Sequence, residues 1–273
     1  MTALADTMHL IPVVLLNLLS AGVLFWLSSL LGKKAASRMT CGWLVRVSLV
    51  LAAPGLLFVL YYTRLFDNAA WFYSLRVMPF TEFLPGGLGL LAGLLNSWLE
   101  PESLGEKLVA PAALAVLVLV PFVKPLLSPI ELDRLRDRCE GEVCMQSTFS
   151  TCGPSSAATL LKAFGQAASE RQLASECLTS RGGTEIWYIA RAFKRRGFRT
   201  QVLIQPLDGL SPPSPAIAGV VLPGGAGHFI AIMSQTADEV TIGDPMKGKL
   251  VVKRADLKNY YHFTGFFLVV QPT

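Results

Sequence analysis

The chain has 273 residues, of which 52% are hydrophobic and only 16% charged, with a mean hydropathy of +0.48. That is too apolar for an ordinary soluble domain, and a pI near 9.0 with a net charge of +5 is too mild and too dispersed to indicate a nucleic-acid partner. Charge is concentrated in the second half: residues 1–127 hold 8 Lys+Arg and 6 Asp+Glu, residues 128–273 hold 16 and 13.

In chain order, the first element is the unbroken apolar run Met8–Leu31, longer than the roughly 20 residues that cross the hydrocarbon of a bilayer. No basic residue precedes it, and its length argues against a cleaved signal peptide. Further spans are expected over residues 47–62 and 108–127. The stretch 80–99 is long enough to span but carries Glu82 and the breaker Pro85-Gly86-Gly87. It reads as a fourth span, a re-entrant segment or an interfacial helix. With three spans, Lys33, Lys34, Arg38, Arg46, Lys124, Arg134, Arg136 and Arg138 share one side, against Arg64, Arg76 and Lys107 on the other. By the positive-inside rule this eight-to-three bias favours three spans and a cytoplasmic C-terminal half. The lipid bilayer is thus the first expected partner. The protein is expected to be integral to a membrane, the bacterial inner membrane.

From Ser128 the texture changes. Residues 128–143 are charged and read as a linker. Within them Cys139 brackets Glu-Gly-Glu-Val with Cys144; the two would pair in an oxidising compartment, and a cytoplasmic location predicts two free thiols. No further ligands lie close enough in sequence for a metal site. Residues 144–273 are expected to form one domain. Helical periodicity covers 155–164, 170–178 and 184–196, with Cys177 read as a core residue. Strand texture follows in FRTQVLI, AIAGVVL, GHFIAIMSQ, DEVTIGD, KLVVKR and FTGFFLVV. Helices followed by strands is an α+β order. No G-x-x-x-x-G-K-[ST] occurs, so the chain has no Walker-A site of its own.

Chemistry is suggested by QSTFSTCGP at 146–154. Cys152 stands at the mouth of a helix, where unpaired N–H groups favour a thiolate, and Pro154 suits a first helical turn. Thr151 reads as a lead-in to the helix. A cysteine nucleophile also needs a base with an orienting partner. Of three histidines, His9 opens the first apolar run and His262 sits in NYYHF, whereas His228 follows a Gly-rich turn at the start of a strand. Asp244 closes the next strand, 16 residues on. Gln146 would supply a side-chain donor to an oxyanion, and the Cys152 backbone N–H a second.

Gln146-x5-Cys152-Gly153, Gly227-His228-Phe229 and Asp244-Pro245 with Gly248 close behind resemble the bacteriocin-processing cysteine peptidases, papain-like family thirty-nine. The resemblance covers about residues 140–271. It implies a papain-like α+β peptidase domain, here behind a helical transmembrane region. Cys152 would be the nucleophile, His228 the base, Asp244 its orienting partner and Gln146 the oxyanion donor. It also implies a peptide substrate cut after a double glycine, no cofactor, and a separate ABC exporter as a working partner. Thr151 departs from the Asp common before the family's cysteine. The alternative is a non-catalytic module that docks leader peptides for such an exporter.

Overall fold

The computed structural model describes residues 10–34, 38–61, 63, 65–99, 101–206 and 211–273. The expected span starts at Met8 and His9 and the span end at residue 62 lie outside them. The chain forms two compact units.

The first unit takes in the described parts of residues 7–67 and 80–126. It holds helix α1 (Leu10–Lys34) and helix α2 (Arg38–Tyr61). A short helix of the other unit, α3 (Ala70–Val77), intervenes. Then come a 3-10 stretch (Thr81–Gly87), α4 (Leu88–Leu99), α5 (Leu104–Leu119) and a 3-10 turn leading into α6 (Val123–Leu127). Among the described residues two helical stretches are long and apolar enough to cross a membrane, Leu10–Lys34 and Leu104–Leu127. The ambiguous stretch 80–99 is not a straight helix: Pro85, Gly86 and Gly87 fall in the 3-10 stretch, and the α-helix begins only at Leu88.

α1 and α4 touch backbone to backbone, as helices in lipid do when small residues line the contact. A Cβ on Gly89 would lie 2.3 Å from the Ala21 carbonyl oxygen, and one on Gly93 2.1 Å from that of Phe25. Ser28 Oγ donates to the Gly89 carbonyl at 3.4 Å across the same seam. Because backbone cannot yield as a flexible side chain can, Gly93→Leu is expected to destabilise this unit by about 1–3 kcal/mol. The measurement is thermal unfolding of the full chain in detergent, and an unchanged midpoint would count against this packing.

The second unit comprises Asn68–Pro79 and Leu127–Thr273 among the described residues. The expected linker is integrated into it. Pro129 bridges to Ser180, and Ile130 and Leu135 are buried against Ala174. The segment ends in a hairpin of β1 (Cys139–Glu140) and β2 (Val143–Cys144). α3 also belongs here. Its Tyr73 ring lies 5.1 Å from that of Phe266, the Arg76 guanidinium sits 4.3 Å over Trp187, and Arg191 donates to the carbonyls of Arg76 and Met78.

Three helices follow: α7 (Cys152–Ala163), α8 (Glu170–Glu176) and α9 (Ile186–Arg195). Ser169 caps α8 by accepting from the Gln172 N–H. The strands are β3 (Phe198–Ile204), β4 (Ala216–Val221), β5 (Gly227–Gln235), β6 (Glu239–Asp244), β7 (Gly248–Lys253) and β8 (His262–Pro272), with the short helix α10 (Leu257–Tyr260) before the last. They pair antiparallel in the order β3-β8-β4-β5-β6-β7. One face buries Val220, Ile230, Ile232, Val240, Ile242 and Phe267, closed by Leu257 and Tyr261. α7 packs across β5 and β6. Gly243 permits this, since a Cβ there would meet Thr159 Cγ2 at 2.8 Å and Val143 Cγ2 at 3.3 Å.

Candidate active site

Cys152 is the first residue of α7 and is buried, with Thr151 preceding it and Pro154 inside the first turn where no intrahelical N–H is required. The helix is fixed to the sheet beside His228: Ser156 Oγ donates to the Phe229 carbonyl at 3.0 Å. On its other flank, the Cys144 N–H donates to Thr159 Oγ1 at 3.0 Å.

His228 is the second residue of β5. Gly224 and Gly225, at φ 99° and 86°, make the turn that delivers it. Asp244 is the last residue of β6, and Ile232 pairs with Ile242 between the two strands. Strand alternation therefore carries His228 and Asp244 to the same face. Their side chains meet, with His228 Nε2 3.0 Å from Asp244 Oδ1 and both residues buried. The Cys152 sulfur lies close enough to the ring to act on its charge. With Nε2 committed to Asp244, Nδ1 is the nitrogen left for the sulfur.

Two further groups hold Asp244. Tyr261 donates to Oδ2 at 2.6 Å, and the Met246 N–H donates to Oδ1 at 2.8 Å. Burial opposes the carboxylate charge, but the hydrogen bonds from His228, Tyr261 and Met246 outweigh it and hold Asp244 below its ordinary value. Burial and the Asp244 carboxylate both push Tyr261 upward, so it stays a donor. For His228 burial again opposes charge, yet the hydrogen bond to Asp244 and the nearby Cys152 sulfur prevail and raise it to about 9. The imidazolium is therefore the resting form at neutral pH. It loses its proton as pH climbs through about 9, and with it the acid that would protonate a leaving amine. The kcat/KM profile should fall on its alkaline side near that pH. In Asp244→Asn the fall should begin at lower pH, because the carboxylate is a main support of the charge. An alkaline limb that stays in place in this variant would contradict that role.

Gln146 lies on a loop pinned at several points. Its N–H donates to the Pro245 carbonyl at 3.0 Å, coupling it to the Asp244 turn. Ser147 donates through its N–H and its hydroxyl to the buried Glu170 carboxylate at 2.6 and 2.5 Å. Thr151 does more than lead into the helix. Fully buried, it donates to the Thr148 carbonyl at 2.9 Å and accepts from the Thr148 N–H at 3.1 Å, latching the loop between Gln146 and Cys152. The Gln146 amide nitrogen donates to the same carbonyl at 2.9 Å, which leaves its second N–H available.

The structure thus brings Cys152, His228 and Asp244 together and sets Gln146 on the adjoining loop. The sequence reading missed Tyr261, Glu170 and the Thr151 latch. No local signal in the sequence marks any of the three. Of the two alternatives for Cys139 and Cys144, the structure shows the pair. Cys139 and Cys144 stand opposite each other in the β1–β2 hairpin, turned at Gly141 (φ 57°), and are joined as a disulfide. Cys177 is core, as expected; burial pushes its thiol up to about 12. Among the described residues no His, Cys, Asp and Glu cluster could hold a metal ion.

Comparison with known proteins decides the family. The profile of the Peptidase C39 family matches residues 141–273. The chain belongs to the peptidase C39 family. A Methanothermobacter thermautotrophicus protein of uncharacterized function is 32% identical over 129 residues, covering 47% of this chain and 87% of the relative. A counterpart from Methanothermobacter marburgensis is 27% identical over the same proportions. Among solved structures, a double glycine motif protease from an AMS/PCAT transporter, in complex with its leader peptide, is 23% identical with a TM-score of 0.41, covering 51% of this chain and 96% of that one. The peptidase domain of Streptococcus ComA, a bi-functional ABC transporter of a quorum-sensing pathway, is 20% identical with a TM-score of 0.39, covering 51% and 98%. The C39 match falls on the α7–β8 region, the helices-then-sheet order expected from sequence.

Proposed function

We propose that this C39 protein is a membrane-anchored cysteine peptidase that hydrolyses a peptide bond following a double glycine in a leader or small peptide. The observation that carries the reading is the buried His228 ring, hydrogen-bonded to Asp244 and close to Cys152 at the mouth of its helix. In this reading the Cys152 sulfur attacks the scissile carbonyl. The oxyanion is stabilised by a Gln146 N–H and the Cys152 backbone N–H, and His228 protonates the departing amine. Water, deprotonated by His228, then releases the acyl group, while Asp244 keeps the ring oriented throughout. Anchoring rests on Leu10–Lys34 and Leu104–Leu127.

Two observations bear on which side of the membrane the peptidase unit occupies, and they disagree. The eight-to-three charge bias favours the cytoplasm, whereas a disulfide favours an oxidising compartment. The charge bias is the better guide, because a hairpin register that places Cys139 opposite Cys144 brings their sulfurs within bonding reach in any compartment. In the cytoplasm the peptide would come from a separate ABC exporter's cargo.

The deciding experiment exposes the full chain to a peptidyl thiol reagent ending in Gly-Gly at neutral pH and maps the adduct by mass spectrometry. Modification of Cys152 together with cleavage of a Gly-Gly peptide is the expected result. Peptide binding without any adduct or cleavage would instead favour the non-catalytic docking module.

A further inference from the structure

Beside the candidate site lies a cavity of about 370 Å³ bounded by Gln146, Phe149, Met246, Arg136 and Arg138. Two of these residues adjoin the triad. Gln146 is the proposed oxyanion donor, and Met246 follows Asp244 by two residues and donates its N–H to that carboxylate. The rim is apolar where it could be polar: Phe149 is 77% exposed and Met246 43%. Large apolar side chains held in solvent at the edge of a cleft favour a ligand that covers them. The lining is also cationic. Arg138 is paired with Glu140 on the disulfide-closed hairpin, whereas Arg136 has no carboxylate partner among the described residues.

The position of the cavity fixes which half of a substrate it receives. The departing amine must sit at His228 Nδ1 to take its proton, while Nε2 of the same ring is held by Asp244, whose turn supplies Met246 to the cavity. The departing half therefore begins one imidazole ring away from that turn. Thr184, Ile189 and Phe229, packed about Gly153 next to Cys152, do not line the cavity. From this we infer that the cavity between Gln146 and Met246 binds the peptide segment immediately following the cut, and that Arg136 selects an acidic side chain there. The inference rests on the peptidase reading for its role but not for its test. Guanidinium is suited to a carboxylate, which it engages with two parallel N–H donors, and Phe149 and Met246 cover the apolar part of the neighbouring residues.

The test uses three short fluorescent peptides equivalent to the departing segment, identical except for Asp, Asn or Lys near the amino end. Binding to the detergent-solubilised full chain is read by anisotropy. An exposed ion pair is worth at most about 1 kcal/mol, close to fivefold in affinity, so Asp should bind about fivefold tighter than Asn and Lys more weakly than either. The preference should shrink with salt and invert in Arg136→Glu. Equal affinity for all three peptides, or an Asp preference that survives Arg136→Glu, overturns the inference. Cleavage of matched Gly-Gly substrates is assayed in parallel. Acid-selective binding without cleavage refutes the peptidase reading and leaves the acidic-segment site standing. Cleavage with no selectivity does the reverse.

Discussion

Cys152→Ala is expected to reduce turnover by roughly 10⁴-fold or more, the scale on which removal of a nucleophile acts in enzymes whose catalytic residues work as a unit. His228→Ala should be almost as severe, since one imidazole both activates the sulfur and protonates the leaving amine. Asp244→Asn should be milder, because Asp244 orients the ring and does not take the proton. The series is interpretable only if the variants fold. Removing one sulfur from the first turn of α7 leaves Ser156 on Phe229 and Thr159 on Cys144, so the helix keeps its anchors to the sheet and to β2. Cys177 supplies the control: fully buried and with its thiol pushed up to about 12, it should resist alkylation at neutral pH. Near-wild-type cleavage of a Gly-Gly peptide by folded Cys152→Ala, measured alongside circular dichroism, would remove the thiol from the mechanism.

Much of this site was legible in the sequence because each piece has a local signature. Cys152 announces itself by standing before Gly153-Pro154 and a helical stretch, and His228 by standing between a glycine-rich turn and an apolar strand. The six strand-like segments all became strands, since their bounds are set by turn residues and by burial in one sheet. The groups that steady the site could not be read this way. Glu170 reaches Ser147 across 23 positions, and Tyr261 reaches Asp244 across 17. Such contacts depend on how α8 and α10 pack, which no local pattern encodes. The N-terminal region shows the same limit. Hydropathy marked its apolar runs, but the closeness of α1 to α4 depends on Gly89 and Gly93 meeting Ala21 and Phe25 across the seam. The segment 128–143 misled because it is charged: Ile130, Leu135 and Val143 are its buried apolar anchors, and three scattered apolar residues in such a run do not reveal a packed strap.

Gln146→Ala tests the second half of the mechanism. A side-chain donor to an oxyanion acts only as the tetrahedral intermediate forms, so its loss should fall on kcat, by roughly 10² to 10³, and leave KM close to its starting value. The thiol should remain fully reactive towards small alkylating agents, because those reactions generate no oxyanion and the His228–Asp244 bond does not involve Gln146. The loop should also hold its place without the side chain. Its backbone N–H to Pro245, the two bonds from Ser147 to Glu170 and the Thr148–Thr151 latch are all independent of the amide. The one bond lost is that from the amide nitrogen to the Thr148 carbonyl, which still accepts from Thr151. Steady-state kinetics with a Gly-Gly peptide, paired with iodoacetamide labelling of Cys152, separate the possibilities. A fall in kcat with labelling preserved is the expected outcome. If labelling and kcat fell together, Gln146 would be shaping the thiol's surroundings rather than holding the oxyanion, and an unchanged kcat would assign the oxyanion to backbone donors alone.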